Sequence, residues 1–249
     1  MNVFLLYIEE THFFHNGRNK MVSAVILAGG SGSRMKSKTA KQFMELGGKP
    51  LIYYALKTFE ASIVDEIILV TRSEDIEFMK QEVVDKFGFT KVKKIVPGGR
   101  ERYNSVWNGL KNTDRRSGVV LIHDGARPFV TNSMILNSIQ TARRYKACTA
   151  AVPVKDTIKV VNSEGFGEST PDRNTLYMIQ TPQTFQRELI MEAHHRLYLS
   201  KKTDVTDDTM IVEYFMDQPV KMIEGSYTNI KITTPEDLVF AEAILSKNF

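Results

Sequence analysis

The chain has one cysteine among 249 residues, Cys148. A single thiol excludes an internal disulfide framework and any cysteine-rich zinc site. Its neighbours Ala147, Thr149, Ala150 and Ala151 predict a small buried thiol and not a nucleophile, as suits a reducing cytoplasm. No apolar run approaches the ~20 residues of a membrane span. Charge of one sign is also scarce: Lys and Arg exceed Asp and Glu by four. That excess is too small to argue for nucleic-acid binding, though it suits anionic small substrates. The chain has neither repeats nor a low-complexity linker, so residues 21–249 are expected to form one domain. The first twenty residues lack both a signal-peptide apolar core and an acid-free transit composition, since Glu9 and Glu10 are present. We expect residues 1–20 to be a non-essential extension ahead of Met21, with no metal role for His12 or His15, and the protein to be cytoplasmic.

What is present is concentrated after the first apolar run, Val22–Leu27, which reads as a buried strand. It empties into Ala28-Gly29-Gly30-Ser31-Gly32-Ser33-Arg34-Met35, with Lys41-Gln42 six residues later. Three glycines in four residues bring bare backbone N–H groups close to a ligand, and Arg34 and Lys41 add two cations. This chemistry suits a polyphosphate. A dinucleotide fingerprint would need glycine where Met35 stands. A Walker loop would need Gly-Lys-Ser/Thr, whereas Gly48-Lys49 runs into Pro50. A nucleophile elbow would need glycine in place of Ser33. The remaining pattern, A-G-G-x-G-x-R-M, resembles the signature loop of nucleotidyltransferases.

Further along, Leu51, Tyr54, Ala55 and Phe59 share one helical face. Glu66–Thr71, Val92–Val96 and Val119–Ile122 read as strands, with helices over Asp75–Phe87 and Arg102–Leu110 between them. Alternation of this kind predicts an α/β fold with a doubly wound, mainly parallel sheet. The pattern then changes, and residues 155–180 read as a projecting β-hairpin arm around Asn162-Ser163-Glu164-Gly165. Asn229–Thr233 is expected as a last strand, followed by a C-terminal helix with Thr234 as N-cap and Pro235 as first residue.

Five more groups of motifs follow the glycine loop in order. They are Gly98-Gly99-Arg100-Glu101-Arg102-Tyr103-Asn104-Ser105, His123-Asp124-Gly125-Ala126-Arg127-Pro128, and Asp156-Thr157-Ile158-Lys159. Last come Asp172-Arg173-Asn174 with Gln180-Thr181-Pro182-Gln183-Thr184-Phe185, and Thr206-Asp207-Asp208 ahead of Asn229–Thr233. The ordered set resembles the 2-C-methyl-D-erythritol 4-phosphate cytidylyltransferase (IspD) family, from Val22 to the C-terminal helix.

The resemblance implies a nucleotide-diphospho-sugar transferase-like fold and a homodimer. It implies transfer of a cytidylyl group from CTP to a sugar-alcohol phosphate with release of pyrophosphate. Ala28, Gly29, Gly30 and Gly32 would cradle the triphosphate, Arg34 and Lys41 would act on the α-phosphorus, and Gly99 to Ser105 would form the cytosine and ribose pocket. Asp124 would contact Mg²⁺, directly or through water. As a residue alone it would serve equally as a helix cap. His123 is expected to pack or hydrogen-bond and not to transfer protons. Arg127, Thr206 and Lys231 would bind the second substrate, while Thr157 and Arg173 on the arm would complete a partner subunit's pocket. Two departures bear on the acceptor: the family often has Ala-Ala-Gly in the first loop and Pro before the lysine, whereas this chain has Ala28-Gly29-Gly30 and Ala40-Lys41. Ala-Gly-Gly also occurs in ribitol-5-phosphate cytidylyltransferases, so methylerythritol phosphate is the expected acceptor and ribitol phosphate the alternative.

Overall fold

The computed structural model describes residues 20–30 and 41–248. Strand β1 (Met21–Leu27) is followed by a 3₁₀ turn at Lys41–Phe43, the short strands β2 (Glu45–Leu46) and β3 (Lys49–Pro50), and helix α1 (Leu51–Glu60). Next come β4 (Glu66–Thr71), a 3₁₀ turn at Ser73–Asp75, and α2 (Ile76–Phe78), which runs into a π-helical stretch at Met79–Asp85. The chain continues through β5 (Val92–Pro97), α3 (Arg102–Leu110), β6 (Ser117–Asp124), α4 (Asn132–Tyr145) and β7 (Ala147–Pro153). The arm carries β8 (Val160–Val161) and β9 (Gly167–Ser169). The last elements are β10 (Tyr177–Gln186), α5 (Arg187–Leu199), α6 (Asp208–Met216), β11 (Lys221–Glu224) and α7 (Pro235–Asn248).

Seven strands form the central sheet in the order β11-β7-β10-β6-β1-β4-β5. β1 is parallel to both neighbours, with Val25 opposite Ile68 on one side and Ile122 on the other. β5 is parallel to β4 and β11 to β7, whereas β10 lies antiparallel between β6 and β7. The expected mainly parallel sheet is therefore present. Side chains alternate between its two faces. Val22, Ala24 and Ile26 meet Ile52, Leu56 and Phe59 of α1 and Ile135 and Ile139 of α4. Val25, Ile68 and Val120 meet Val106 and Leu110 of α3, together with residues of α5 and α6. Both faces are covered, which is why these strands are near-continuous apolar runs.

The end of the chain departs from expectation. Asn229–Thr233 forms no strand, and the sheet's last strand is β11 instead. The apolar alternation of Ile230 and Ile232 serves a separate cluster with Leu46, Leu51 and Phe129, and only the Ile232 N–H reaches a strand-like partner, the Ala126 carbonyl at 2.9 Å. At the start of α7, Asp237 Oδ2 accepts from the N–H groups of Thr233 and Thr234 at 2.8 and 2.9 Å. The helix starts at Pro235 with Thr234 in the N-cap position, as expected, and the side-chain acceptor at this end is Asp237, reaching back from the first turn. Helices α4, α5 and α6 are additions to the elements expected from sequence. In the arm, the Asn162 side chain accepts from the N–H groups of Glu164 and Phe166 to shape the turn between β8 and β9. Its returning limb continues into the sheet as β10.

Candidate active site

Four strand ends converge at one edge of the sheet, where ligands bind in open α/β folds. The Ala28 N–H donates to Val70 O at 2.7 Å, Gly98 N–H to Thr71 O at 2.7 Å and Gly125 N–H to Leu27 O at 2.9 Å. These bonds bring the segments after β1, β4, β5 and β6 side by side. A Cβ on Gly125 would stand 2.9 Å from the Leu27 carbonyl and press on Ile52, so only glycine permits this approach. Gly99 is held likewise, because a Cβ there would strike Asn104. Its N–H donates to Ser105 Oγ at 3.0 Å, and the paired Glu101 and Asn104 side chains cap α3, giving the turn a fixed shape.

The centre of the edge is charged. Asp124, at the end of β6, is buried and faces three cations. Lys231 Nζ lies 2.8 Å from its Oδ2, Arg127 Nε 3.8 Å from the same oxygen, and Arg102 Nε 3.5 Å from Oδ1. Burial alone would raise the Asp124 pKa, but Arg102 and Lys231 outweigh it and hold the carboxyl far below the usual range. Arg127 is half-buried, and desolvation lowers its pKa despite Asp124. Its Nη1 donates to Asn229 O at 2.8 Å, while Nε has no hydrogen-bond partner among the described residues. Its Nη2 donates to Ile179 O at 3.4 Å, and the guanidinium, 3.8 Å from Asp124 Oδ2, keeps charge to offer an added anion.

His123 hydrogen-bonds as expected. Thr181 Oγ1 accepts from the Asp124 N–H at 3.0 Å, which leaves its proton for His123 Nδ1 at 3.0 Å. His123 Nε2 then donates to the Arg127 carbonyl at 3.1 Å, so the network assigns the neutral Nε2–H tautomer. Complete burial pushes its pKa down to about 4. The ring braces both ends of the Asp124–Arg127 turn.

A second buried group lies behind the first and was not singled out from sequence. Arg102 Nη1 donates to Asp208 Oδ2 at 2.7 Å, and His194 Nε2 lies 3.0 Å from Asp208 Oδ1. Gln183 fixes this corner: its Oε1 accepts from the Asp208 N–H at 3.0 Å and its Nε2 donates to Asp207 Oδ2 at 2.8 Å. Burial would lower the Arg102 pKa, but Asp208 and Asp124 hold it above the ordinary arginine value. At Asp124 itself three cations, Arg102, Arg127 and Lys231, meet one carboxylate, while Asp208 and Asp207 act on Arg102 from its other side.

The expected site residues divide accordingly. Ala28, Gly29 and Gly30 stand at the end of β1, with the end of β4 between them and the Gly99–Ser105 turn, and Asp124, Arg127 and Lys231 come together. Gly32 and Arg34 lie outside the described residues, and Lys41 begins the 3₁₀ turn that follows them. Thr206 directly precedes Asp207, whose carboxylate accepts from Met210 N–H at the start of α6. Thr157 and Arg173 are exposed on the arm, where Arg173 Nη1 donates to the Lys155 carbonyl at 2.9 Å.

Glycine loop, excess cations and one carboxylate at the carboxyl edge of a parallel sheet make this an α/β nucleotidyltransferase. Comparison with known proteins narrows the class. The family model for 2-C-methyl-D-erythritol 4-phosphate cytidylyltransferase matches residues 22–247. The enzyme of that name from Lachnospira eligens is 50% identical over 227 residues, spanning 90% of this chain and 99% of the relative. Its counterpart from Lachnoclostridium phytofermentans is 48% identical over 227 residues, spanning 91% and 97%. The crystal structure of 4-diphosphocytidyl-2C-methyl-D-erythritol synthase from Anaerococcus prevotii is similar with a TM-score of 0.81 and 38% identity, over 91% of this chain and 96% of that one. The chain belongs to the 2-C-methyl-D-erythritol 4-phosphate cytidylyltransferase (IspD) family.

Proposed function

We propose that the charged sheet edge performs the family's reaction with a definite division of labour among its residues. The enzyme transfers a cytidylyl group from CTP to 2-C-methyl-D-erythritol 4-phosphate in isoprenoid precursor synthesis. An oxygen of the acceptor phosphate attacks the α-phosphorus, a new P–O bond forms, and the bond to the β-phosphate breaks to release pyrophosphate. The nucleophile is already anionic, so no general base is needed. The residues supply charge and alignment.

In this reading Ala28, whose own N–H is held by the Val70 carbonyl, starts the cradle; Gly29, Gly30 and Gly32 offer backbone N–H groups to the triphosphate, and Arg34 and Lys41 neutralise charge developing at the α-phosphate. Gly99 and Ser105 belong to the turn that receives the nucleoside. Arg127, Lys231 and Thr206 receive the acceptor phosphate. The single observation that carries this assignment is the Asp124 cluster, where three cations meet one carboxylate beside the start of the glycine loop.

Asp124 also fits Mg²⁺. Its Oδ1 meets only the long 3.5 Å contact with Arg102, and no group of three His, Cys, Asp or Glu side chains surrounds it among the described residues. One carboxylate, completed by phosphate oxygens and water, is an ordinary Mg²⁺ environment. Bound there, the ion would supply charge neutralisation on the phosphates. The exposed arm residues Ile158, Val160, Val161 and Phe166, and the separation of Thr157 and Arg173 from the Asp124 cluster, support a homodimer in which each arm serves its neighbour. A two-stranded hairpin is marginal alone, so a partner explains the projection. Among the described residues no helix is long and apolar enough to cross a membrane. The lone buried thiol suits a reducing compartment, so we place the enzyme in the cytoplasm, with small anions and not membrane or nucleic acid as its partners.

A pyrophosphate-release assay tests the reading. With CTP, methylerythritol phosphate should be turned over far faster than ribitol 5-phosphate, the alternative that the relatives do not favour. Lys41→Ala and Arg34→Ala should each lower kcat about a hundredfold or more, the scale of one lost transition-state donor. Near wild-type kcat in both variants would remove them from the mechanism.

A further inference from the structure

The end of β1 through Gly30 and the 3₁₀ turn from Lys41 both rest on one short segment, Thr71–Asp75. After β1, Thr71 Oγ1 donates to the Ala28 carbonyl at 3.4 Å. A Cβ built on Gly29 would touch the backbone of Thr71 and Arg72 at 3.5 and 3.7 Å. At the 3₁₀ turn, the Gln42 side chain is buried and its Nε2 donates to Asp75 Oδ2 at 3.0 Å. Asp75 is itself gripped by Arg72, with Nε 2.6 Å from Oδ2 and Nη2 2.9 Å from Oδ1. One residue further on, the Phe43 ring packs edge-on against Phe78, with centroids 4.6 Å apart.

This polar anchor is more elaborate than packing requires. An apolar residue at position 42 would fill the same space without the desolvation of an amide and a carboxylate. What the anchor adds is direction. A carboxylate held by a two-pronged guanidinium offers its remaining lone pairs along fixed lines, so the Gln42 amide has one place to go. Lys41 shares a peptide bond with Gln42. Its side chain has four rotatable bonds and is only as well aimed as the backbone that carries it.

We propose that Gln42, Asp75 and Arg72 are positioning residues that fix the backbone at Lys41, and so aim its ammonium, from the same segment that supports the start of the glycine loop. The inference rests on the reading of Lys41 as the group acting at the α-phosphate. It assigns Gln42 and Asp75 no contact with either substrate. Their effect therefore passes through Lys41, and a displacement near 1 Å suffices to cost up to about a hundredfold in rate.

A double-mutant cycle tests it, using the full-length enzyme with folding checked by circular dichroism and melting temperature. The kcat is read from product formed with radiolabelled CTP, so that slow variants remain measurable. Gln42→Ala should lower kcat about tenfold or more, as expected for a misaimed catalytic group, and leave KM for methylerythritol phosphate nearly unchanged. In the Lys41→Ala background the same substitution should change kcat by less than about twofold, because residues acting through one another are not additive. Equal losses in the two backgrounds would overturn the proposal, as would wild-type kcat in Gln42→Ala. Failure of the Lys41 reading shows separately, as undiminished kcat in the Lys41→Ala single variant. If Gln42→Ala does not fold, Asp75→Asn, which keeps the side-chain shape and removes the charge, takes its place in the cycle: a loss confined to the Lys41 background supports the proposal, and equal losses in both overturn it.

Discussion

Alkaline pH should destabilise this protein through its one thiol. Cys148 lies in β7, fully buried, with Sγ 3.2 Å from the Ser138 carbonyl. Burial pushes its pKa from 9.0 up to about 12. Between those values the unfolded chain has lost the thiol proton while the folded chain keeps it, so stability falls as pH rises. Linkage gives a loss of about 1.4 kcal/mol at pH 10 relative to pH 7, growing to about 4 kcal/mol above pH 12. Lysines and tyrosines titrate in the same range, so the assay must be differential. Urea denaturation of wild type and Cys148→Ala at pH 7 and pH 10 isolates the thiol, since alanine has nothing to titrate. The variant starts less stable, having lost buried atoms, and should lose about 1 kcal/mol less than wild type over the interval. The same burial should keep the native thiol unreactive toward an aromatic disulfide reagent at pH 8 until the protein is unfolded. Equal pH-dependence in the two proteins, or prompt labelling of the native one, would refute the reasoning.

Two further outcomes are expected. Arg173→Ala and Lys41→Ala, each inactive alone, should recover part of the activity when mixed and allowed to exchange subunits, because a heterodimer reunites an intact Lys41 with a partner's intact Arg173. No recovery with heterodimers confirmed by mass spectrometry would place both residues in one subunit's site. Deleting Met1 to Lys20 should leave turnover and melting temperature essentially unchanged, and a large drop in either would make that segment structural.

The parts of the site legible in the sequence are those whose chemistry is local. Gly29 and Gly30 declare a loop of bare backbone at a strand end, and Asp124 follows a strand whose apolar run is unmistakable. What was not legible depends on distant partners. Nothing near Arg102 in the chain announces that it bridges Asp124 and Asp208, because a half-buried, ion-paired arginine near the start of a helix looks like a solvated one. His194 is hidden in the same way within α5. Lys231 was legible as a site residue but misplaced as part of a strand. The alternation of Ile230 and Ile232 that suggested pairing comes from contact with Leu46, Leu51 and Phe129. β11 went unread for the opposite reason: of its four residues only Ile223 is buried, so no alternation marks it. β10 reads as two things, an exposed limb and a buried strand, because it is both.

That double character has a consequence for how the molecule is made. β6 and β7 are consecutive in the chain but not neighbours in the sheet, and β10 sits between them. On a ribosome the block β5-β4-β1-β6 can assemble as soon as residue 124 has emerged, since all its pairings are complete by then. Its β6 edge stays open for about sixty residues more, until Gln183 to Gln186 arrive to pair with Val119 to Ile122. During that interval the nascent chain carries an unpaired apolar edge, the kind of surface that recruits a second strand from the wrong molecule. Thr181, which satisfies both His123 and the Asp124 N–H, arrives on the same segment. Closing the sheet and completing the polar scaffold of the Asp124 turn are therefore one event in biosynthesis, and a chain that stalls before it has neither.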